Sequence, residues 1–232
     1  TWAALNYTGD AGYREIAERT LAAVDAIREG TEGIDDLDVS QEDLNAYDSD
    51  MDLPAAERFE DADAGGFFFT ADDHEALIHR PKPLADEAVP SGNGIAAFAL
   101  QRLGFILGET RYLNAAERTL RACWRAMQEY PHGHVSLLTA LEEYLEHPEV
   151  VIIRGDKDEL ARWQGAADKL YAPRRLVFGI SRTEQCLPGA LSDRKPASGE
   201  TIAYRCVGTH CEMPVTTWEA LAAQLRSTAA AD

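Results

Sequence analysis

Hydrophobic and polar positions follow a helical period through the middle of the chain. Residues 95–107 are apolar nearly all round, which is typical of a buried helix. Residues 112–129 carry apolar side chains on one face only, which predicts an amphipathic helix. Residues 135–145 predict one further helix, ending near His147 and Pro148. This part of the chain is therefore expected to be a group of packed helices.

The period changes after these helices. Short runs rich in β-branched and aromatic residues predict strands at 150–153, 176–180 and 201–206. Helical patterns lie at 157–170 and 217–226, the second with Thr216 or Thr217 as its cap. The order strand, helix, strand predicts a small α/β region with some parallel pairing.

Two segments, 7–23 and 107–122, repeat one another. In each, a glycine, an acidic residue and an aromatic residue precede the pattern Ala-Glu-Arg-Thr-Leu. Such a link marks a tight turn between helices, and its repetition predicts an array of helical hairpins. The alternative is that the pattern is merely favourable helix sequence. The register is constant between the copies: Gly9 with Gly108, Tyr13 with Tyr112, Ala17 with Ala116, and Leu21 with Leu120.

Composition narrows the possible partners and compartments. The chain has 22 basic and 40 acidic residues, a formal charge of -18, which disfavours nucleic acid and anionic membrane surfaces as partners. No apolar run is long enough to span a membrane, and no signal pattern is present. The 4 cysteines do not suggest a secreted disulfide framework, so we expect a reducing cytoplasm. The chain opens at Thr1 as if inside a helix, so we expect a fragment of a longer protein.

Residues 35–52 form an acidic insert that is expected to cover a surface or to be mobile. A calcium loop is the alternative, because Asp48, Asp50 and Asp52 alternate. The EF-hand pattern also requires a glycine and a distal glutamate in register, and neither is in place.

Residues 65–93 form a long polar loop, and loops of this length are often functional. Gly65 and Gly66 allow positive φ. Thr70 is positioned to cap a short helix, and Ser91 or Asn93 to cap the helix near residue 95. The charges of the loop are either solvated or paired with one another, or they line a cleft.

This loop carries a family resemblance. The run GGFFFTADDHEALIHRPK, followed by DEAVPSGN, resembles the signature of the spermatogenesis-associated, thioredoxin-domain proteins. The resemblance implies a thioredoxin-like domain upstream of this chain and a helical domain of the six-hairpin glycosidase type. We therefore predict a mainly α fold: a partial α/α hairpin toroid in residues 1–147 and a small α/β region in 148–232. The resemblance does not supply a reaction.

Two functions follow as hypotheses. In the first, the intact protein binds or transforms a sugar or sugar phosphate, as a hydrolase or an epimerase, without a cofactor or bound metal. In the second, the domain is a non-catalytic platform for the upstream thioredoxin-like domain. The sugar hypothesis assigns acid, base or partner roles to Asp73, His74 and Glu75, and substrate contacts to Arg80, Lys82, Asp86, Asn93 and His134.

A cysteine pair near the C-terminus, Cys206 and Cys211, discriminates between these functions. The resemblance includes this pair, with Pro214 after it. Three states are open: two free thiols, a disulfide, or a metal site with His210 or Cys186. A pair that cycles between dithiol and disulfide indicates redox work, whereas an inert buried pair indicates a platform or a sugar site. The pair His132 and His134 has too few neighbouring ligands to predict a metal site.

Overall fold

The computed structural model describes residues 58–73 and 78–228. Three helices come first: α1 (Gly92–Leu107), α2 (Thr110–Glu129) and α3 (Val135–Leu145). Ser91 caps α1, because its hydroxyl accepts a hydrogen bond from the Gly94 amide at 3.0 Å. Gly108, at φ 71°, ends the helix in the left-handed conformation that glycine adopts without strain.

The three helices pack on one another through small side chains and a shared apolar core. An added Cβ on Gly94 would lie 2.0 Å from the Ser136 hydroxyl oxygen of α3, so glycine sets the distance between α1 and α3. A short 3-10 helix, Pro131–Gly133, turns the chain from α2 into α3. The core between them is formed by Ala97, Leu120, Cys123, Met127, Leu137 and Ala140.

A mixed sheet follows, with strands β1 (Glu149–Gly155), β2 (Arg175–Ser181), β3 (Ile202–Val207) and β4 (His210–Cys211). The strand order is β2-β1-β3-β4. β1 and β2 are parallel and are joined through helix α4 (Lys157–Ala167), whereas β3 runs antiparallel to both β1 and β4. Every residue of β1 is buried, which explains its uninterrupted apolar run. The predicted strands and the helix between the first two are confirmed.

Helix α4 and the last helix, α5 (Trp218–Thr228), pack against one face of the sheet. The core there combines sheet and helix residues: Val151, Ile153, Leu160, Trp163, Ala167, Ala203, Leu221 and Leu225. A 3-10 helix, Gly189–Asp193, connects β2 to β3 and packs against α1. The helical group and the α/β region therefore contact each other through this connection.

The prediction of a mainly α, partial α/α toroid is wrong. The described chain has five helices and a four-stranded mixed sheet, which is an α/β fold. The prediction assigned the overall architecture from the helical hairpins. The sheet around the buried strand β1 forms a second core with the helices that pack on it. Among the described residues, no helix has the length and apolar character that a membrane span requires.

Several predictions concern residues outside the described ranges. They include the first copy of the repeat, the acidic insert with its calcium alternative, and His74 and Glu75. The second copy of the repeat, residues 107–122, spans the end of α1, the Gly108 turn and the first part of α2. The short helix predicted from Thr70 is not formed at 70–73, where the chain makes a turn.

Candidate functional site

The polar loop begins with two glycines that fix its path over α2. Gly65 and Gly66 have φ values of 78° and 80°. A Cβ on Gly65 would lie 2.5 Å from the backbone oxygen of Arg118, so a side chain does not fit there. The loop therefore lies directly on the α2 backbone, and the glycines serve close packing.

Asn93 holds the loop against the start of α1. Its side-chain oxygen accepts a hydrogen bond from the Phe67 amide at 2.7 Å. Its side-chain nitrogen donates to the carbonyl oxygens of Phe67 and Pro83, each at 3.0 Å. The residue is 2 % exposed, so these bonds use both ends of a buried amide. Asn93, a predicted substrate contact, is a structural clamp.

Asp86 joins the loop to the first turn of α3. Its carboxylate accepts hydrogen bonds from the backbone amides of Ser91 and Ser136, each at 2.8 Å, and from the Ser136 hydroxyl. Partial burial alone would raise the pKa of this carboxyl, but the bonds from Ser136 and Ser91 outweigh it, and the net pKa is lowered. The predicted substrate contact is therefore a cap that reaches α3 from a distant segment.

Asp86→Ala is expected to lower the free energy of unfolding by about 1 kcal/mol at pH 7, the usual cost of losing a cap. Because the folded pKa is lowered, the carboxylate's contribution is complete above the unfolded pKa of about 3.9 and is lost as pH falls through the folded value. Urea unfolding of both proteins between pH 7 and pH 3 measures this difference. It should shrink in acid, whereas Glu87→Ala, at an exposed loop position, should change little at any pH. A difference independent of pH would contradict this role.

The two cations of the loop, Arg80 and Lys82, bind groups of the loop itself or of the residues just before it. Arg80 donates to the Thr70 carbonyl oxygen at 2.6 Å, and its guanidinium lies 4.2 Å from the Phe68 ring centroid. The Lys82 ammonium lies 2.7 Å from the Asp61 carboxylate and 3.0 Å from the Gly65 carbonyl oxygen. Both cations are therefore engaged in contacts that hold the loop, although neither pairs with another described charge of residues 65–93.

Of the remaining residues assigned by the sugar hypothesis, the structure describes Asp73 and His134. Asp73 is exposed and pairs with Arg58 at the start of the described chain. His134 is buried at the start of α3, where its Nδ1 lies 2.8 Å from the Tyr130 carbonyl oxygen. In the described ranges, no group of three or more potential metal ligands occurs, and this includes the segment with His132.

The cysteine pair forms a disulfide that links β3 to β4. Cys206 and Cys211 are register partners of the hairpin, and Gly208 at φ 57° forms its turn. The alternatives of two free thiols and of a metal site are therefore wrong. Cys206 is buried and Cys211 is exposed. The turn brings the two Cα atoms to 4.0 Å, which sequence spacing alone could not establish.

An arginine that was not among the predicted site residues lies against this disulfide. The Arg194 guanidinium is 3.2 Å from the sulfur of Cys211 and 3.5 Å from the sulfur of Cys206. Arg194 belongs to the connection between β2 and β3. The buried Arg154 donates a hydrogen bond to the Arg194 carbonyl oxygen at 3.1 Å.

The two remaining cysteines are free: Cys186 is exposed, and burial raises the pKa of the Cys123 thiol to about 11.

Comparison of the chain with protein-family models and with curated proteins found no match.

Proposed function

We propose that this chain is a redox-responsive domain whose Cys206–Cys211 disulfide exchanges with a thioredoxin-like dithiol. The contact of Arg194 with both sulfurs of a partly exposed disulfide carries the proposal. Membership of the spermatogenesis-associated, thioredoxin-domain family, a cytoplasmic location and an upstream thioredoxin-like domain are parts of the same proposal. The proposal departs from the platform hypothesis, because here the domain itself accepts electrons from its thioredoxin-like partner and performs no reaction on a metabolite.

The geometry supports a defined order of attack. Cys211 is exposed, so its sulfur is open to an incoming thiolate, whereas Cys206 is buried and suited to be the leaving group. Arg194 lies beside both sulfurs and stabilises a thiolate on either. A nearby cation lowers a thiol's pKa, and a thiol of lower pKa leaves faster.

Electrons and atoms balance as in ordinary thiol–disulfide exchange. One partner thiolate bonds to the Cys211 sulfur, and the Cys206–Cys211 bond breaks with its electron pair on Cys206. The second partner thiolate then attacks the partner sulfur of the mixed disulfide and releases Cys211. The partner becomes a disulfide, and the two cysteines of this chain become thiols after taking up protons. In a reducing cytoplasm, a disulfide is usually transient, which is consistent with such a cycle.

The sugar hypothesis ranks second. Asp86, Asn93, Arg80 and Lys82 are engaged in structural contacts, which removes most of its proposed substrate contacts. Its remaining candidates include Asp73, which is exposed. If Asp73→Ala leaves sugar binding by the intact protein unchanged, no described residue of the loop supports that hypothesis.

Reduced thioredoxin is the probe for the redox proposal. We expect it to reduce the disulfide of the folded chain within minutes, as followed by alkylation of the released thiols and mass spectrometry. Arg194→Met should slow this reduction by about 3- to 10-fold, because the leaving thiolate loses its cation. Arg125→Met removes an exposed arginine of α2 and should leave the rate unchanged.

Two results would overturn the proposal. One is a disulfide that reduced thioredoxin opens only after the chain is unfolded by urea. The other is an equal rate for the parent and Arg194→Met, which would show that the guanidinium does not act on the sulfurs.

A further inference from the structure

Helix α1 has a second apolar face besides the one that it buries. The buried side packs against α2 and α3 and holds Asn93, Gly94, Ala97, Leu100, Gln101 and Gly104. The opposite side carries four apolar side chains that keep part of their surface open to solvent, with Ile95 42 % exposed. We call this side the α1 seam, and it consists of Ile95, Ala99, Leu103 and Ile106.

The spacing of the α1 seam suits a second helix. Its residues follow one another at intervals of four, four and three positions, which places them in one row along α1. At about 1.5 Å per residue, the row is about 17 Å long. Ala99 lies in the middle of the row, and its small side chain allows the backbone of a neighbouring helix to come close.

Helix α2 shows how the repeated sequence packs. Its copy of the repeat, residues 107–122, places Tyr112, Ala116 and Leu120 on a buried face. That face contacts α1 and also reaches α3, because Leu120 lies in one core with Leu137. The second copy of the repeat therefore packs on the helix that follows it in the chain.

The first copy carries the same apolar face in its sequence. Residues 13–28 lie outside the described ranges, and their sequence predicts an amphipathic helix. The buried residues of α2, apart from Met127, have an apolar or threonine counterpart there: Tyr13, Ile16, Ala17, Thr20, Leu21 and Val24 correspond to Tyr112, Ala115, Ala116, Thr119, Leu120 and Cys123. Met127 corresponds to Arg28, at the end of the predicted helix.

The described chain begins beside the α1 seam. Phe59 and Leu103 pack against the same core cluster, which includes Leu100 of α1. An extended chain reaches about 3.3 Å per residue, so residues 29–57 can span more than the length of a helix formed by residues 13–28. Residues 13–28 are therefore within reach of the seam.

We propose that residues 13–28 dock as a helix on the α1 seam. The face that matches the buried face of α2 lies on Ile95, Ala99, Leu103 and Ile106. The first copy of the repeat then packs on α1, the helix that follows it, as the second copy packs on α3. The docking concerns the helical group alone and does not depend on the redox proposal.

The chemistry of the α1 seam discriminates between segments of the chain. A strongly polar segment would lose water at an apolar row without gaining hydrogen-bond partners. The acidic insert, residues 35–52, is a segment of that kind. Residues 13–28 match the seam in apolar character and exceed it in length, so burial of both apolar faces favours their association.

Amide hydrogen exchange of the full chain, measured by mass spectrometry, tests this docking. A docked helix exchanges more slowly than an unstructured segment, so peptides from residues 13–28 should be protected. Ala99→Asp places a carboxylate at an exposed position in the middle of the seam, and should speed exchange in residues 13–28 by about tenfold or more. Ala161→Asp makes the same change at an exposed position of α4 and should leave that exchange unchanged.

A second pair of variants tests which face of residues 13–28 docks. Ala17→Asp alters the apolar face, at the counterpart of the buried Ala116, and should speed exchange both in residues 13–28 and in α1. Ala22→Asp alters the opposite face, at the counterpart of the exposed Arg121, and should change neither. Peptides from β1 should exchange alike in all variants, which would show that the sheet remains folded.

Three outcomes would overturn the proposal. One is exchange in residues 13–28 of the parent chain as fast as in an unstructured peptide. Another is equal exchange in the members of either pair of variants. The third is protection of α1 that rises with protein concentration, together with a dimer detected by light scattering, which would show that a second copy of the chain covers the seam.

Discussion

Glu149→Gln is expected to lower the free energy of unfolding by about 3–5 kcal/mol, the usual cost of leaving buried charges without their partner. The two oxygens of Glu149 bind two arginines: Arg175 through its Nε at 2.5 Å, and Arg205 through its own Nε. The side chains of all three residues are less than a tenth exposed. Glutamine keeps the size of the side chain but removes the charge, and its amide nitrogen cannot accept a bond from a guanidinium.

The other contacts of Arg175 and Arg205 determine which elements lose stability when Glu149 is replaced. Arg205 also pairs with Glu212, and Arg175 donates to the Leu225 carbonyl oxygen of α5 at 2.7 Å. Glu149 thus joins β1, β2 and β3 and, through Arg175, the C-terminal part of α5. Its loss should loosen that end of the sheet together with α5, and not one strand alone.

Urea unfolding at pH 7, followed by circular dichroism, measures the change. Glu129→Gln is the matched control, because it breaks the exposed pair with Arg125 on α2 and should cost no more than about 1 kcal/mol. A loss of less than 1 kcal/mol for Glu149→Gln would show that the arginines reach water or other acceptors once the carboxylate is removed.

The strands were predictable because their signal is local. The apolar run at 150–153 is continuous, and a central strand buried on both faces requires such a run. The antiparallel placement of β3 beside β1 was not predictable, since pairing depends on residues about 50 positions apart, such as Ile152 and Tyr204. Glu149 was missed for the same reason, because its partners come from two other strands.

The candidate site was predictable only where partners are close in sequence. Ser91 was one of two candidate caps for α1, and it bonds to Gly94, which is three positions away. Asn93, the other candidate, bonds instead to Phe67, across 26 positions. Arg194 reaches the disulfide through the fold of the connection between β2 and β3, and no spacing in the sequence records that contact. The sequence therefore indicated which loop residues have polar side chains to bond, but it assigned a partner only where that partner is close in the chain.

Asn93→Ala is expected to lower the free energy of unfolding by about 3 kcal/mol or more. The substitution leaves the buried Phe67 amide and Phe67 carbonyl oxygen without their partner, and each unpaired buried group costs about 1–3 kcal/mol. It also removes the part-buried bond to the Pro83 carbonyl oxygen. Asn114→Ala is the matched control, because it makes the same change at an exposed position of α2 and should alter stability by less than about 0.5 kcal/mol.

Asn93→Asp separates hydrogen bonding from the loss of side-chain volume. Aspartate can still accept the bond from the Phe67 amide, but it donates to neither carbonyl oxygen at pH 7 and adds a charge beside both. We expect it to be at least as destabilising as alanine at pH 7. It should be less destabilising near pH 4, where a protonated carboxyl can donate one bond. Urea unfolding at both pH values compares the free energies of unfolding of Asn93→Asp, Asn93→Ala and the parent.

Equal stability of Asn93→Ala and the parent would contradict the structural role of Asn93. It would show that the loop keeps its path without these hydrogen bonds, and Asn93 would again be a candidate ligand contact.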